Sequence, residues 1–479
     1  LRVNPSGMRR VVPLVVILAA CGRPGSSENV VHHRDDAAVV PRDAPVALRP
    51  LALGMPEVTA FAYGRRAGQP AYRLARASEA TGDWAQVAAQ CRQALATDPD
   101  HLGAAYLLAV ALAKTGGDRE QIVTALGTAV AGDFGKWGDA SLEQPALQPF
   151  LASTLGEAWR RRVEQDRSAF AAALARSLIV TAQHDLYAYD GETKRWLRLT
   201  RTGGAVVGAL LVRSHHRLAY VTRERVAADG KPRTRVGLGV VDLATGRTRR
   251  SFELPAAVAA SPTLRIGYNE KKTPGFIVRA GKRVWQLVEG ERPALRPVPA
   301  KAHADAPAYL AGMMRLEVRG RRARIDRAAV PDVTADWDDH SLASAIKIGR
   351  SNKVVTVPSP GLIDGDSATW SADRTQLAFI AQLSDECEPG VATGAAFVAD
   401  AATGRVRELE RAIAGLAIEW SGERTLAIAG DHGVSLVPLD GGAPVALAGA
   451  DGLVTPRRTP TCTPEAPDED PVVEDEDAR

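Results

Sequence analysis

Two periods divide the chain. From about Gln69 to Gly132, apolar residues recur three and four positions apart, the spacing of helices that bury one face. From about Ser177 to Leu453 the apolar runs shorten and are broken by Gly and charged residues, which predicts strands and turns. Between these regions, Ala146 to Leu174 carries Phe150, Leu151, Leu155, Trp159 and Val163 at helical spacing and predicts a cap on the first region.

Within the strand region, apolar runs end in Asp-containing turns at Asp190-Gly191, Asp242 to Gly246, Asp400 to Gly404 and Asp440-Gly441. The Asp carboxylate bonds the turn backbone and Gly accepts positive φ, so each reads as a hairpin. A second half-motif places a polar turn before a buried strand, as in Ser214 to Tyr220, Trp370 to Phe379 and Trp420 to Ile428. Trp370 to Trp420 spans 50 residues, Asp190 to Asp242 spans 52 and Asp400 to Asp440 spans 40. Those intervals match a four-stranded propeller blade. The phrases Trp370-Ser371-Ala372-Asp373-Arg374-Thr375-Gln376-Leu377-Ala378-Phe379 and Asp400-Ala401-Ala402-Thr403-Gly404-Arg405 resemble the blade repeats of the periplasmic TolB-like (WD40-like) family. That resemblance implies a β-propeller of about six blades over 176–453. Ring closure is expected to pair Ser177 to Thr181 with Val434 to Leu439, because an open ring would leave two unpaired edges.

In the helical region, Leu74, Ala75, Gly82, Ala94 and Pro99 supply a large apolar residue, a small one, a turn, a second small one and a helix stop. Small residues let two helices approach, and Pro ends the second. The interval from Gly68 to Leu102 is 34 residues, and Leu108, Ala109, Leu126 and Ala129 continue the pattern. The segment 61–135 resembles tetratricopeptide repeats. That likeness implies a short α-solenoid whose groove positions fall on Tyr72, Arg76, Glu79, Tyr106 and Lys114, with 136–175 as cap and connector. Cys91 stands where the family has a large apolar residue and reads as a buried thiol.

The N-terminus carries a signal of another kind. Met8-Arg9-Arg10 precedes ten apolar or Pro residues, Val11 to Ala20, and then Cys21. Ten residues fall short of the roughly 20 that cross a bilayer. Leu18-Ala19-Ala20-Cys21 resembles the bacterial lipobox, so 1–20 is expected to be an upstream extension and signal peptide, with Cys21 lipidated. Gly22, where Asp would mark inner-membrane retention, favours the outer membrane. Residues 21–60, rich in Ser, Pro, Asp and Arg, read as a flexible tether, and the cluster from His32 to Asp36 as solvated linker.

Charge adds an asymmetry. The formal net charge is +4, but Pro464 to Arg479 holds eight acids and one Arg, so the segment carries −7 and the remainder +11. Arg outnumbers Lys fifty to ten and is dispersed among strands, the pattern of solvated edges; no nucleic-acid partner is expected. The acidic segment, 454–479, is expected to be disordered. Of four cysteines, Cys21 is assigned to lipid and Cys91 to a helix, leaving Cys387 and Cys462 as an expected disulfide in an oxidising compartment.

No G-x-S-x-G, P-loop or H-E-x-x-H motif is present. The acids Asp332, Asp336, Asp338 and Asp339 lack a ligand-spaced loop, Asp364-Gly365-Asp366-Ser367 reads as a hairpin turn, and His215-His216 as a surface turn. The eight Trp do not recur once per blade, against a quinone cofactor. No catalytic residue, metal or cofactor is expected. The sequence thus predicts an α + β multidomain protein: a short tetratricopeptide-like solenoid followed by an all-β propeller. The expected role is a non-enzymatic, lipid-anchored cell-envelope scaffold facing the periplasm that binds a protein or peptide. The alternative is a hydrolase or lyase acting on an envelope polymer, with residues scattered around the propeller channel.

Overall fold

The computed structural model describes residues 47–455 except 229–230, 246, 249–251, 260–264, 270–274, 281–282, 289–293, 299–314, 319–320, 328–341, 351–352, 385–390 and 414. Cys21, the cluster 32–36, the acids of 332–339, Cys387, Cys462 and residues 456–479 of the acidic segment lie outside the described residues.

Four helices form in the first region: α1 Gln69–Thr81, α2 Trp84–Thr97, α3 Leu102–Thr115 and α4 Arg119–Gly132. Their ends obey capping chemistry. Asp83 accepts from the Gln86 N–H, Asp118 accepts from the Glu120 N–H, and His101 Nδ1 accepts from the Ala104 N–H at 3.1 Å. Gly82 and Gly116 close α1 and α3 in the left-handed region. Each helix packs on the next in sequence. Leu74, placed by sequence in a large apolar slot, is 57% exposed; among the described residues only two short 3-10 helices, Val58–Phe61 and Tyr63–Arg65, precede α1. Then follow α5 Phe134–Glu143, α6 Gln148–Leu151 and α7 Thr154–Arg176, the last capped by Ser153.

Among the described residues, five antiparallel sheets form the second region. The first contains β1 Leu178–Ala182, β2 Asp185–Asp190, β3 Arg195–Arg198 and the late strand Gly452–Leu453. The second runs from Val206–Val212 to Arg247–Thr248, the third from Arg265–Asn269 to Ala294–Pro297, and the fifth from Ala417–Trp420 to Val445–Ala446. The fourth has seven strands, with the 18-residue strand Lys353–Trp370 at its centre. Helices followed by antiparallel sheets make the fold mixed α + β.

Two expectations are corrected. Val434 to Leu439 does not pair with β1. It is consumed by its own hairpin with Thr425–Gly430, and Gly452–Leu453 takes the edge of β1 through Val180↔Leu453 and Thr181↔Gly452. Bonds from Asp451 N–H to the Thr181 carbonyl at 2.7 Å and from Val454 N–H to the Ile179 carbonyl at 2.8 Å extend the seam. Asp364 to Ser367 is not a hairpin turn either. It lies inside the strand Lys353–Trp370, at a shift of register between Asp364 and Thr369. The Asp turns behave as local chemistry dictates: Asp190, Asp242, Asp400 and Asp440 each accept a backbone N–H two residues on.

Helices and first sheet share one core. Val87, Cys91, Leu126, Phe134, Trp159 and Phe170 are continuous with Ile179, Leu186 and Leu197. The stretch expected to end a tether at residue 60 is packed too: Met55 and Val58 are buried in a second cluster with Leu102, Leu178 and Trp196, and Met55 bridges to Trp196 of β3. Gly54 is required there, since a Cβ would lie 2.6 Å from the Trp196 carbonyl oxygen and φ is +86°.

Candidate functional site

The site is built on one face of α1, α3 and α5. Gly103 on α3 lacks a side chain, and the Tyr72 ring of α1 fills the room, at 3.1 Å from where a Cβ would stand. Tyr72 also packs on His101, ring centroids 4.7 Å apart, and burial pushes its hydroxyl pKa up. One turn along α3, Tyr106 stacks on Trp137 of α5 at 4.2 Å and donates to the Ala140 carbonyl at 3.0 Å. Three aromatic rings are thus held by helix spacing and by a glycine. Arg76 and Glu79 pair with each other on α1. Lys114 stands apart from this face, with its ammonium 5.7 Å above the Trp84 ring of α2.

Sequence reasoning missed two residues that complete this face, Lys136 and Trp137. The signal was present: the 34-residue interval from Gly68 to Leu102 lands on Lys136 when extended once more. The ammonium of Lys136 lies 4.0 Å from the centroid of the Trp137 ring. Lys136 is exposed in area, yet desolvation, followed by the nearby charges of Arg201, Arg198 and Arg76, lowers its pKa against the pull of Asp133. Among the described residues, none is a hydrogen-bond partner of the buried Trp137 indole N–H.

Arg198, at the end of β3, and Arg201, just beyond it, are the charges nearest to Lys136 from the sheet side. Arg201 grips the Asp133 carboxylate with Nε, at 3.0 Å, and with Nη2. Arg198 reaches Asp185 at 3.2 Å. Asp185 also accepts from the Thr200 hydroxyl at 2.7 Å and from the Thr202 N–H and hydroxyl. Burial alone would raise the Asp185 pKa, but these bonds and the Arg198 charge together hold it below the ordinary carboxylate range.

Elsewhere, Glu419 is buried at an edge strand, accepting from Thr455 at 3.2 Å with Arg213 at 4.0 Å. His215-His216 forms a turn in which His215 packs on Tyr268. Among the described residues no group of three or more His, Cys, Asp or Glu is arranged to hold a metal, and no helix is long and apolar enough to cross a membrane.

The sequence matches no known protein family and no curated protein. Among solved structures it is similar to TolB from Acinetobacter baumannii, at 14% identity over 64% of this chain and 72% of that one, TM-score 0.28. An ancestral GH74 enzyme aligns at 10% identity over 56% of this chain and 47% of its own length, TM-score 0.18. A Synechocystis apocarotenoid oxygenase variant aligns at 11% identity over 60% and 72%, TM-score 0.19. Overlap this slight carries no argument about chemistry.

Proposed function

We propose that the protein is a non-enzymatic scaffold of the cell envelope, anchored through lipidated Cys21, that binds a protein or peptide on the inner face of α1, α3 and α5. In this reading the helices are tetratricopeptide-like. The sheets form a TolB-like propeller of six blades, the seven-stranded sheet counting as two that share Lys353–Trp370. The observation that carries the binding role is the aromatic row of Tyr72, Tyr106 and Trp137 beside Arg76 and Lys136. Tyr, Trp and Arg are the residues that dominate binding energy at protein interfaces, because each combines apolar area with polar reach.

The test is capture by crosslinking in the native envelope with mass-spectrometric identification. Replacing Tyr72, Arg76 and Tyr106 together by Ala is expected to lower partner recovery roughly tenfold or more. Helical content by circular dichroism should stay intact. Equal recovery from a folded triple variant would move the binding role away from this face.

A further inference from the structure

The hairpin formed by the strands Arg217–Ala228 and Lys231–Asp242 outruns its own sheet. On one side, Val206–Val212 pairs only as far as Thr222, with one further bond from the Arg223 N–H to the Ala205 carbonyl. On the other, Phe252–Glu253 pairs only as far as Gly237, with one further bond from the Leu254 N–H to the Val236 carbonyl. Beyond Arg223 and Val236 the register continues from Glu224↔Arg235 to Ala228↔Lys231 as a ribbon of two strands. At about 3.3 Å per residue, this ribbon reaches roughly 17 Å past the sheet. From Arg223 to Arg235 the sequence holds five basic residues against Glu224 and Asp229, a net of +3. Two of the five have acids of their own: Arg235 is paired with Glu224, and Arg233 with Glu253 at 2.7 Å. Arg223 and Arg225 are exposed, share one face because strand side chains alternate, and make no ion pair among the described residues. Charge on an open edge deters pairing with other chains, and either sign would serve. The charge on this face is positive only.

We infer that the chain's own acidic segment, Pro464 to Arg479, docks on this ribbon at Arg223 and Arg225. The charges are complementary, since eight acids and one Arg give the segment −7. Reach follows from where the described chain ends. Thr455 donates to Glu419 at 3.2 Å, and Arg213, four residues before the hairpin begins, lies 4.0 Å from the same carboxylate. The chain therefore leaves the body at the root of the hairpin. From Arg217 to Arg223 is roughly 20 Å of strand, whereas residues 456 to 464 span up to roughly 30 Å when extended. The segment arrives with length to spare. Because it belongs to the same molecule, it meets the ribbon at an effective concentration on the order of millimolar, so contacts too weak to hold a free peptide suffice. Each guanidinium fork matches a carboxylate, and the runs Asp468 to Asp470 and Glu474 to Asp477 present acids in succession. Docked there, the segment neutralises the one face of the ribbon that has no acid of its own.

The experiment uses the full chain with benzoylphenylalanine in place of Thr234, an exposed position that pairs across the ribbon with Arg225. Illumination is followed by peptide mapping of the monomer band, with reductant present so that no bond at Cys462 shortens the reach of the segment. The photoproduct should join position 234 to 464–479. Its yield should fall about threefold or more when Arg223→Gln and Arg225→Gln are combined, and by less than about twofold with Arg160→Gln and Arg161→Gln, which remove the same charge from an exposed stretch of α7. Combining Glu474→Gln, Asp475→Asn, Glu476→Gln and Asp477→Asn leaves the hairpin untouched and should lower the yield as well, which separates lost docking from a disturbed ribbon. Raising the salt from about 0.05 to about 1 M, which shortens screening to about 3 Å, should do the same. Absence of a product with 464–479, a product confined to dimers, or equal losses from the two arginine pairs would overturn the docking. The rival occupant is an anionic bilayer. If no internal photoproduct forms, and the full chain sediments with phosphatidylglycerol vesicles but the Arg223→Gln, Arg225→Gln variant does not, the ribbon faces a membrane and the assignment to the segment is wrong.

Discussion

Cys91 shows what enclosure does to a single side chain. It is fully buried in α2, and desolvation, with a smaller push from Glu79, raises the thiol from 9.0 to about 12. The folded state therefore favours the protonated thiol. Its contribution to stability is complete below the ordinary value and is lost as pH climbs through the window from 9.0 to about 12. At neutral pH the peptide containing Cys91 should escape alkylation in native protein and react fully in denaturant; labelling of native protein would contradict the burial. This residue was legible in the sequence because an apolar slot in a helical pattern demands an apolar occupant. Trp137 was not legible. Its role depends on Tyr106 arriving from another helix and on the turn at Asp133 being held by an arginine 68 positions away.

Among elements, the β1–β2 hairpin runs against its own sequence. Gln183 and His184 both adopt positive φ, 51° and 56°, in a two-residue loop that favours Asn-Gly. A left-handed conformation costs a non-glycine residue roughly 1 kcal/mol or more. Gln183→Asn with His184→Gly is expected to raise stability by about 0.5–1 kcal/mol net of the glycine's chain entropy, measured by urea denaturation. A lower midpoint would mean that His184 makes contacts worth more than the strain. The Asp turns could be read because their chemistry is local, with Asp400 accepting from residues two and three positions away. The closing strand could not. With only Gly452 and Leu453 in its ladder it has no period to detect, whereas Val434 to Leu439 alternates clearly and drew the wrong pairing.

At the scale of the whole molecule, the sheets depend on a short seam. Deleting 450–455 removes the partner of Val180 and Thr181 and exposes an edge of β1. The expected result is a lower melting temperature together with concentration-dependent association, seen by calorimetry and light scattering. An unchanged, cooperative transition would show the seam to be dispensable. Fold class was legible because helix and strand periods differ sharply along the chain. The shared core of helices and first sheet was not, since it is created by packing between segments that the sequence presents as separate.

The seam also sets a clock. The Thr181 hydroxyl and the Gly452 carbonyl that it meets are separated by 271 positions. At roughly 5–20 residues per second of synthesis, the half-finished first sheet waits on the order of 15–50 s for the strand that completes it. Through that interval β1 offers open backbone groups to anything nearby. The helices precede β1 in the chain and share its core, so the edge that waits is that of one strand five residues long.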